Sequence, residues 1–367
     1  MSFYRTLKDR EDKYIDEKLR GITEQEIYHV LEKEILDEKD FLVILSEKAE
    51  DYLETMAKRA NELTLKNFGR VIHLYSPLYL SNFCDNECVY CGFKHSNAIT
   101  RKKLCLEEVE LEAKAVAATG ILHLLALTGE SRKETPVSYI KDCVNILKKH
   151  FSSVSIEIYP LQQEEYAEFV LCGVDGLTIY QETYDENTYQ KIHLKGLKKD
   201  FQFRMDAPER ACNAQMRSVN IGALLGLSDF RKDVYFTGLH ASYIQSKFPG
   251  TEVGVSFPRI QPQTGNFLPA NPVSDKQLVQ AILAVRLFMP RAAINISTRE
   301  NSALRKNLIG LGVTRMSAGS RTEVGGYTAS IKTEGQFEVN DNSSVAQAKE
   351  MISLKGYQPV MKDWLMI

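Results

Sequence analysis

The sequence predicts an α/β protein, a (β/α)8 TIM-type barrel preceded by an N-terminal helical extension. Three observations carry that prediction. The chain has 367 residues, room for two domains or for one large α/β barrel, which routinely runs past about 200 residues as a single unit. From residue 71 onward, short β-rich runs alternate with helical patterns until eight strand candidates have passed. That is the rhythm of a parallel sheet with helical crossovers. Finally, a cluster of cysteines at residues 84–91 follows the first of those runs, at the strand end where barrels keep their chemistry. An open, doubly wound sheet is the alternative, but no G-x-G-x-x-G run follows the first strand candidate.

Residues 1–70 are highly charged and helical in pattern. Thr23 is placed as an N-cap with Glu26 three residues on, a capping box. Ile27, Val30, Leu31 and Ile35 then recur at helical spacing. A second helix is predicted over 46–65, with Ala49, Leu53, Met56 and Ala60 on one stripe. The extension reads as a cap packed on the main body; a helical interaction module is the other reading. Strands are predicted at 71–75, 123–127, 153–158, 177–180, 218–224, 253–257, 293–297 and 314–317. The cysteine loop is placed after the first of them, beyond Pro77. Helices are predicted at 107–119, 136–150, 164–172 and 275–289, the first stopped by Gly120 and the last by Pro290. The chain thus divides into an N-terminal helical extension (1–70), a barrel (71–322) and a C-terminal segment closing the barrel (323–367).

Composition narrows the function classes. An apolar share of 44% with 26% charged residues is that of an ordinary globular chain. A net charge of −2 offers no electrostatic argument for nucleic acid or an anionic membrane. The first fourteen residues are charged and lack the apolar core of a secretory leader. No run of 18 apolar residues exists to span a membrane. Seven cysteines without a leader read as reduced thiols, and the expected location is cytoplasmic.

Cys84, Cys88 and Cys91 stand at spacing C-x3-C-x2-C, and no fourth cysteine follows until Cys105. Three thiolates on one loop can hold three irons of a cubane whose usual protein complement is four, leaving one iron open to a small molecule. A zinc site completed by His95 is the competing reading, although only one C-x2-C knuckle is present. The spacing, with Tyr90 just before the third cysteine, resembles the signature of the radical S-adenosylmethionine (SAM) enzymes. That resemblance implies a [4Fe-4S] cluster whose fourth iron is chelated by the amino and carboxylate groups of SAM.

Residues just after the strand ends converge on one pocket if the barrel is right. After the second strand stands Thr128-Gly129-Glu130, where the resemblance implies backbone and Glu130 contacts to the amino group of SAM; a plain turn is the alternative. After the fourth comes Gln181-Glu182-Thr183-Tyr184, with Glu182 placed for a ribose hydroxyl or a cationic group. Arg204, flanked by aromatics, offers a two-pronged donor; the resemblance suggests it for the carboxylate of SAM, and a surface ion pair is the other reading. Tyr90 is implied near the adenine, and Gly222 in the fifth strand would let adenine lie against backbone. Beyond the eighth strand, Ser320 and Arg321 sit in a run of small residues that leaves space at the mouth, with Arg321 as an anion anchor. A phosphate or an amino-acid carboxylate satisfies that anchor equally.

Further stretches narrow the family. Residues 77–82, 91–93, 181–184, 226–229, 256–259 and 362–364 together resemble the radical SAM aromatic amino-acid lyases, from about residue 20 to the C-terminus. Within them the chain is similar to the tyrosine lyases of thiazole formation in thiamine biosynthesis; a tryptophan lyase is the alternative within the family. The implied reaction cleaves the Cα–Cβ bond of L-tyrosine, held through its carboxylate by Arg321 and Ser320. The implied products are dehydroglycine (2-iminoacetate), p-cresol, 5′-deoxyadenosine and methionine. Implied partners are thiazole synthase and a reducing electron donor of flavodoxin or ferredoxin type. A hydrogenase-maturing relative carries an extra C-terminal cluster domain. No cysteine follows Cys212 here, so second-cluster chemistry is not expected.

Overall fold

A computed structural model describes residues 2–10, 12–265, 267–328 and 333–362. Eight strands close into a parallel barrel: β1 (Val71–Ser81), β2 (His123–Thr128), β3 (Ser153–Glu157), β4 (Gly176–Glu182), β5 (Ser218–Ala223), β6 (Glu252–Ser256), β7 (Ala293–Ile296) and β8 (Arg315–Ser317). Neighbours pair in sequence order, and β1 pairs with both β2 and β8, which seals the cylinder. All eight predicted strands are present, most displaced by one or two residues. A ninth strand, β9 (Gln358–Val360), was not predicted; it adds in parallel to the foot of β1 at Val71–His73. Only three residues long, it carries too weak a pattern to be read from sequence.

Pro77 does not end the first strand. β1 runs through it for 11 residues, and Pro77 faces Leu125 of β2. The pairing of β1 with β8 spans only His73–Tyr75, so no partner on that side needs the missing N–H. The Pro77 carbonyl, which leaves the strand on the same side, accepts from the Tyr327 hydroxyl at 2.7 Å.

The extension packs as a helical layer against the barrel's own helices. The Thr23–Glu26 capping box is present: the Thr23 hydroxyl accepts from the Glu26 amide and Glu26 accepts from the Thr23 amide at 2.8 Å. Its helix, Glu24–Glu32, ends before Ile35, which is exposed rather than buried as its spacing suggested. The next long helix, Leu53–Phe68, begins later than predicted because residues 48–52 form a 3-10 turn. Ala49, Met56 and Ala60 are fully buried, as their stripe requires. Phe41 joins the layers: its ring stacks on Phe288 at 4.5 Å between centroids and lies near Tyr235 at 5.9 Å. Of the C-terminal segment, residues 345–354 form a helix leading to β9. Residues 363–367, which include Trp364 of the last family stretch, lie outside the described residues. No helix among the described residues is long and apolar enough to cross a membrane.

Phe41 is fully buried between the layers, so Phe41→Ala removes a ring that nothing nearby replaces. The expected loss is about 3–5 kcal/mol, read as a lower urea midpoint. A midpoint within error of the parent would mean that the extension does not stabilise the barrel through this contact.

Candidate active site at the barrel mouth

The segment leaving β1 folds back over the top of the barrel. It returns where the Asn82 amide donates to the Lys102 carbonyl and the Leu104 amide to Leu80. Arg101 holds the loop from within, donating to the carbonyls of Asn82, Phe93 and Lys94 at 2.7, 2.9 and 2.6 Å. The cysteine run is stitched to residues 192–195: Glu87 and Val89 donate to Lys195 and Ile192, and Leu194 donates back to Glu87. These bonds turn Cys84, Cys88 and Cys91 toward a single cavity, which they line together.

The loop after β2 lies directly against the cysteine loop. A Cβ at Gly129 would sit 2.3 Å from the Phe83 carbonyl oxygen, so only glycine allows the approach. The Asp85 amide donates to the Glu130 carbonyl at 3.1 Å. On the far wall β4 ends in Glu182, whose φ of 72° is unusual for a residue with a side chain. Backbone held in this region costs of order 1–3 kcal/mol and collects at functional sites. The Leu224 amide pins it by donating to the Glu182 carbonyl at 2.8 Å.

Glu130 and Glu182 belong to a buried group of four charges with Lys198 and Arg204. Lys198 Nζ donates to Glu182 Oε1 at 2.6 Å, and Arg204 Nη1 to Glu130 Oε1 at 2.8 Å. The cross pairs are longer, 4.0 Å from Lys198 to Glu130 and 3.8 Å from Arg204 to Glu182. Asn86, inside the cysteine run, donates to Glu130 Oε2 at 2.8 Å and accepts from the Lys198 amide at 3.0 Å. Burial pushes the Glu130 carboxyl up, but Arg204 and then Lys198 outweigh it and hold the group ionised below its ordinary range. Lys198 stays protonated for the complementary reason: burial and Arg204 oppose its charge, while Glu182 and Glu130 more than restore it. The four charges sum to zero, which is what makes their burial tolerable.

Tyr90 also lines the cavity, its hydroxyl 2.8 Å from His193 Nε2. His193 Nδ1 faces the Tyr189 carbonyl at 2.9 Å, so Nδ1 carries the proton and Nε2 accepts from Tyr90. Burial, then Lys198 and Arg204, push the imidazole down to about 2, and it is neutral.

Several predicted residues sit differently from expectation. Arg204 is no surface residue; it is buried and already committed to Glu130 and, through Nε, to the Tyr180 carbonyl at 2.6 Å. Gly222 is needed for protein packing, because a Cβ there would meet the Ser256 carbonyl at 2.0 Å, and it does not line the cavity. Arg321 is exposed and lines a separate outer recess with Gln263, Ser320 and Thr322. That recess abuts an inner one at Ser320, Thr322 and Phe337. His95 is exposed, turns Nδ1 to the Cys84 carbonyl and does not line the cavity. Among the described residues no three His, Cys, Asp or Glu side chains converge on one point for a single metal ion; a cubane needs its thiolates spread over separate irons.

Sequence reasoning missed Asn86, Glu157, Lys198, Arg299 and Gln336, all in the cavity wall. Lys198 stands beside exposed Lys199 in a charged run, and no pattern separates the two. Gln336, 245 residues beyond Cys91, donates to its sulfur at 3.7 Å; only the fold brings it there.

The donor set fits an iron–sulfur cluster with a polar cosubstrate. Burial pushes all three thiols up, Cys84 to about 12, so they stay protonated until a metal displaces the proton. The Thr128 hydroxyl is buried in the cavity wall without a hydrogen-bond partner among the described residues, a polar atom left for a ligand.

Comparison with known proteins agrees. The radical SAM superfamily description matches residues 78–235, and the biotin and thiamin synthesis associated domain matches residues 256–358. The 2-iminoacetate synthases of Salmonella typhimurium and Escherichia coli are 40% and 39% identical over 348 residues, 95% of this chain and 92% of each of theirs. The crystal structure of HydG, a maturase of the [FeFe]-hydrogenase, superposes with a TM-score of 0.90 at 30% identity, covering 96% of this chain and 80% of that one.

Lys198→Met strands Glu182 beside Glu130 with Arg204 alone between them. The expected loss is about 3–5 kcal/mol, measured by denaturant unfolding. Adding Glu182→Gln is expected to recover part of it, and a silent Lys198→Met would show that the four charges are not coupled.

Proposed function

We propose, on the premise that this chain belongs to the radical SAM superfamily and within it to the 2-iminoacetate synthases, that Cys84, Cys88 and Cys91 hold three irons of a [4Fe-4S] cluster. The fourth is left to SAM. The chain is a carbon–carbon lyase that cleaves the Cα–Cβ bond of L-tyrosine to 2-iminoacetate and p-cresol, with 5′-deoxyadenosine and methionine as by-products. Its 2-iminoacetate serves thiazole formation in thiamine biosynthesis. The observation that carries the site assignment is the sharing of one cavity by three thiols and a balanced group of buried charges.

When bound, the cluster and SAM supply the electron and the hydrogen-abstracting group. The protein's part is placement. Glu130 and Thr128 would hold the amino end of SAM, Arg204 its carboxylate and Glu182 its ribose, while Tyr90, braced by His193, would offer its ring to the adenine. Polar groups that already hold one another in place need little rearrangement when the ligand arrives. Ser320 borders both recesses, its hydroxyl buried without a partner among the described residues, and with Arg321 it receives the carboxylate of tyrosine. Placement matters because an error of about 1 Å between reacting atoms costs on the order of a hundredfold in rate. We assign the reductant to the flavodoxin or ferredoxin class and the recipient of the imine to thiazole synthase, since an imine free in water hydrolyses.

Iron and sulfide counts on single serine variants test the ligands. Cys84→Ser, Cys88→Ser and Cys91→Ser are each expected to lose the cluster and all p-cresol, whereas Cys105→Ser keeps both. Cluster loss in Cys105→Ser, or a full complement in Cys88→Ser, removes the assignment. Arg321→Ala is expected to weaken tyrosine binding at least ~10-fold, the worth of a charge-assisted pair; unchanged affinity removes Arg321 from the substrate site.

A further inference from the structure

Six charged side chains line the cysteine cavity, and four of them, Glu130, Glu182, Lys198 and Arg204, answer one another. Glu157 and Arg299 do not. Glu157 is the last residue of β3. Its carboxylate makes no ion pair and accepts no hydrogen bond among the described residues, and it is only half-buried because it faces open cavity. Arg299 acts on Glu157 through its charge but makes no ion pair with it among the described residues; its guanidinium lies 3.4 Å from the centre of the Phe337 ring.

Position makes Glu157 informative. It lines the cysteine cavity and also the inner recess beneath, whose walls include Pro77, Leu125, Leu127, Tyr180 and Pro258. An aromatic amino acid with its ring in that apolar recess and its head toward the cysteines puts its α-nitrogen at the junction, where Glu157 stands. Ser320 borders the same recess, on the side assigned above to the carboxylate.

We propose that Glu157 receives the α-ammonium group of the amino-acid substrate and takes one proton from it, so that a neutral amine faces the cofactor cavity. The inference rests on the lyase reading. In this step one N–H bond breaks heterolytically, its electron pair stays on nitrogen, and the proton moves to a carboxylate oxygen of Glu157; nothing is oxidised or reduced. A hydrogen atom is then taken from a neutral amine, which does not carry the added cost of a positive charge on the radical nitrogen.

The electrostatics suit the task. Burial, followed by the nearby Glu182, pushes the Glu157 carboxyl up to about 7, with Arg299, Lys198 and Arg204 opposing. An α-amino group at a chain end titrates near 7.7–8.0, and that of a free amino acid, beside its own carboxylate, lies higher; a raised Glu157 narrows the gap that an ordinary carboxylate would leave and so makes the better base. The other groups facing Glu157 are the phenols of Tyr75 and Tyr79 on β1 and Tyr180 on β4, all pushed up, chiefly by burial, and un-ionised. Turnover therefore falls as pH drops through the Glu157 value, because the protonated acid can accept nothing.

Glu157→Gln keeps the shape and one acceptor while removing the base. In SAM-loaded holoenzyme without reductant, calorimetry is expected to show tyrosine affinity reduced ~10-fold or more. The amine-free analogue 3-(4-hydroxyphenyl)propionate is expected to bind parent and variant alike. With reductant, p-cresol formation is expected to fall ~100-fold and to lose its acid limb, while Glu157→Asp recovers part of both. Equal weakening of tyrosine and analogue, or a Glu157→Gln variant that keeps the parent's rate and acid limb, overturns the proposal. A parent holoenzyme that binds SAM but neither binds nor cleaves tyrosine overturns the lyase reading and this proposal with it.

Discussion

The charge group formed by Glu130, Glu182, Lys198 and Arg204 is the constraint on which the mouth of this barrel depends. Each member comes from a different stretch: the β2 and β4 strand ends and two neighbouring segments near residues 198 and 204. None is tolerable alone in so buried a place, because an unpaired ion loses far more in hydration than packing returns. Together they force those stretches into one arrangement. Asn86 carries the constraint into the cysteine loop by bonding both Glu130 and the Lys198 backbone. The cluster loop is thus referenced to the barrel through polar groups rather than through apolar packing.

A second tie closes the site from above. Gln336 accepts from the Tyr79 hydroxyl at 2.8 Å, donates to the Cys91 sulfur, and offers its carbonyl to the Gly92 amide at 3.2 Å. Phe337 beside it covers Arg299. Residues far along the chain therefore roof the cavity and connect β1, the cysteine loop and the outer recess containing Arg321. A roof of this kind keeps water from the reacting atoms, and it explains why a cavity built mainly by the first half of the barrel also needs the segment after β8.

The capping box at Thr23 was legible because both bonds are local, closed within three residues. The end of that helix was not: Ile35 continues the apolar spacing, yet the chain has already turned and leaves it exposed. Pro77 looks like a strand terminator, and only the short pairing with β8 shows why it does no harm. Glycine at 222 signals a close approach correctly, but sequence cannot say that the approaching atom is the Ser256 carbonyl. Arg204 shows the same limit for charge, since a flanking aromatic pair cannot reveal a buried carboxylate 74 residues away in Glu130.

The alternation of strand and helix, the three-cysteine spacing and the stretches shared with the lyases were present in the sequence itself, because each depends on neighbours along the chain. Periodicity, caps and ligand spacing are local physics, and local physics survives in one dimension. Which charges meet, which glutamine reaches the Cys91 sulfur, and which acid has no ion pair among the described residues were decided only by closure of the barrel. Those contacts join residues tens to hundreds of positions apart, and their energies depend on burial, which no single stretch of sequence encodes.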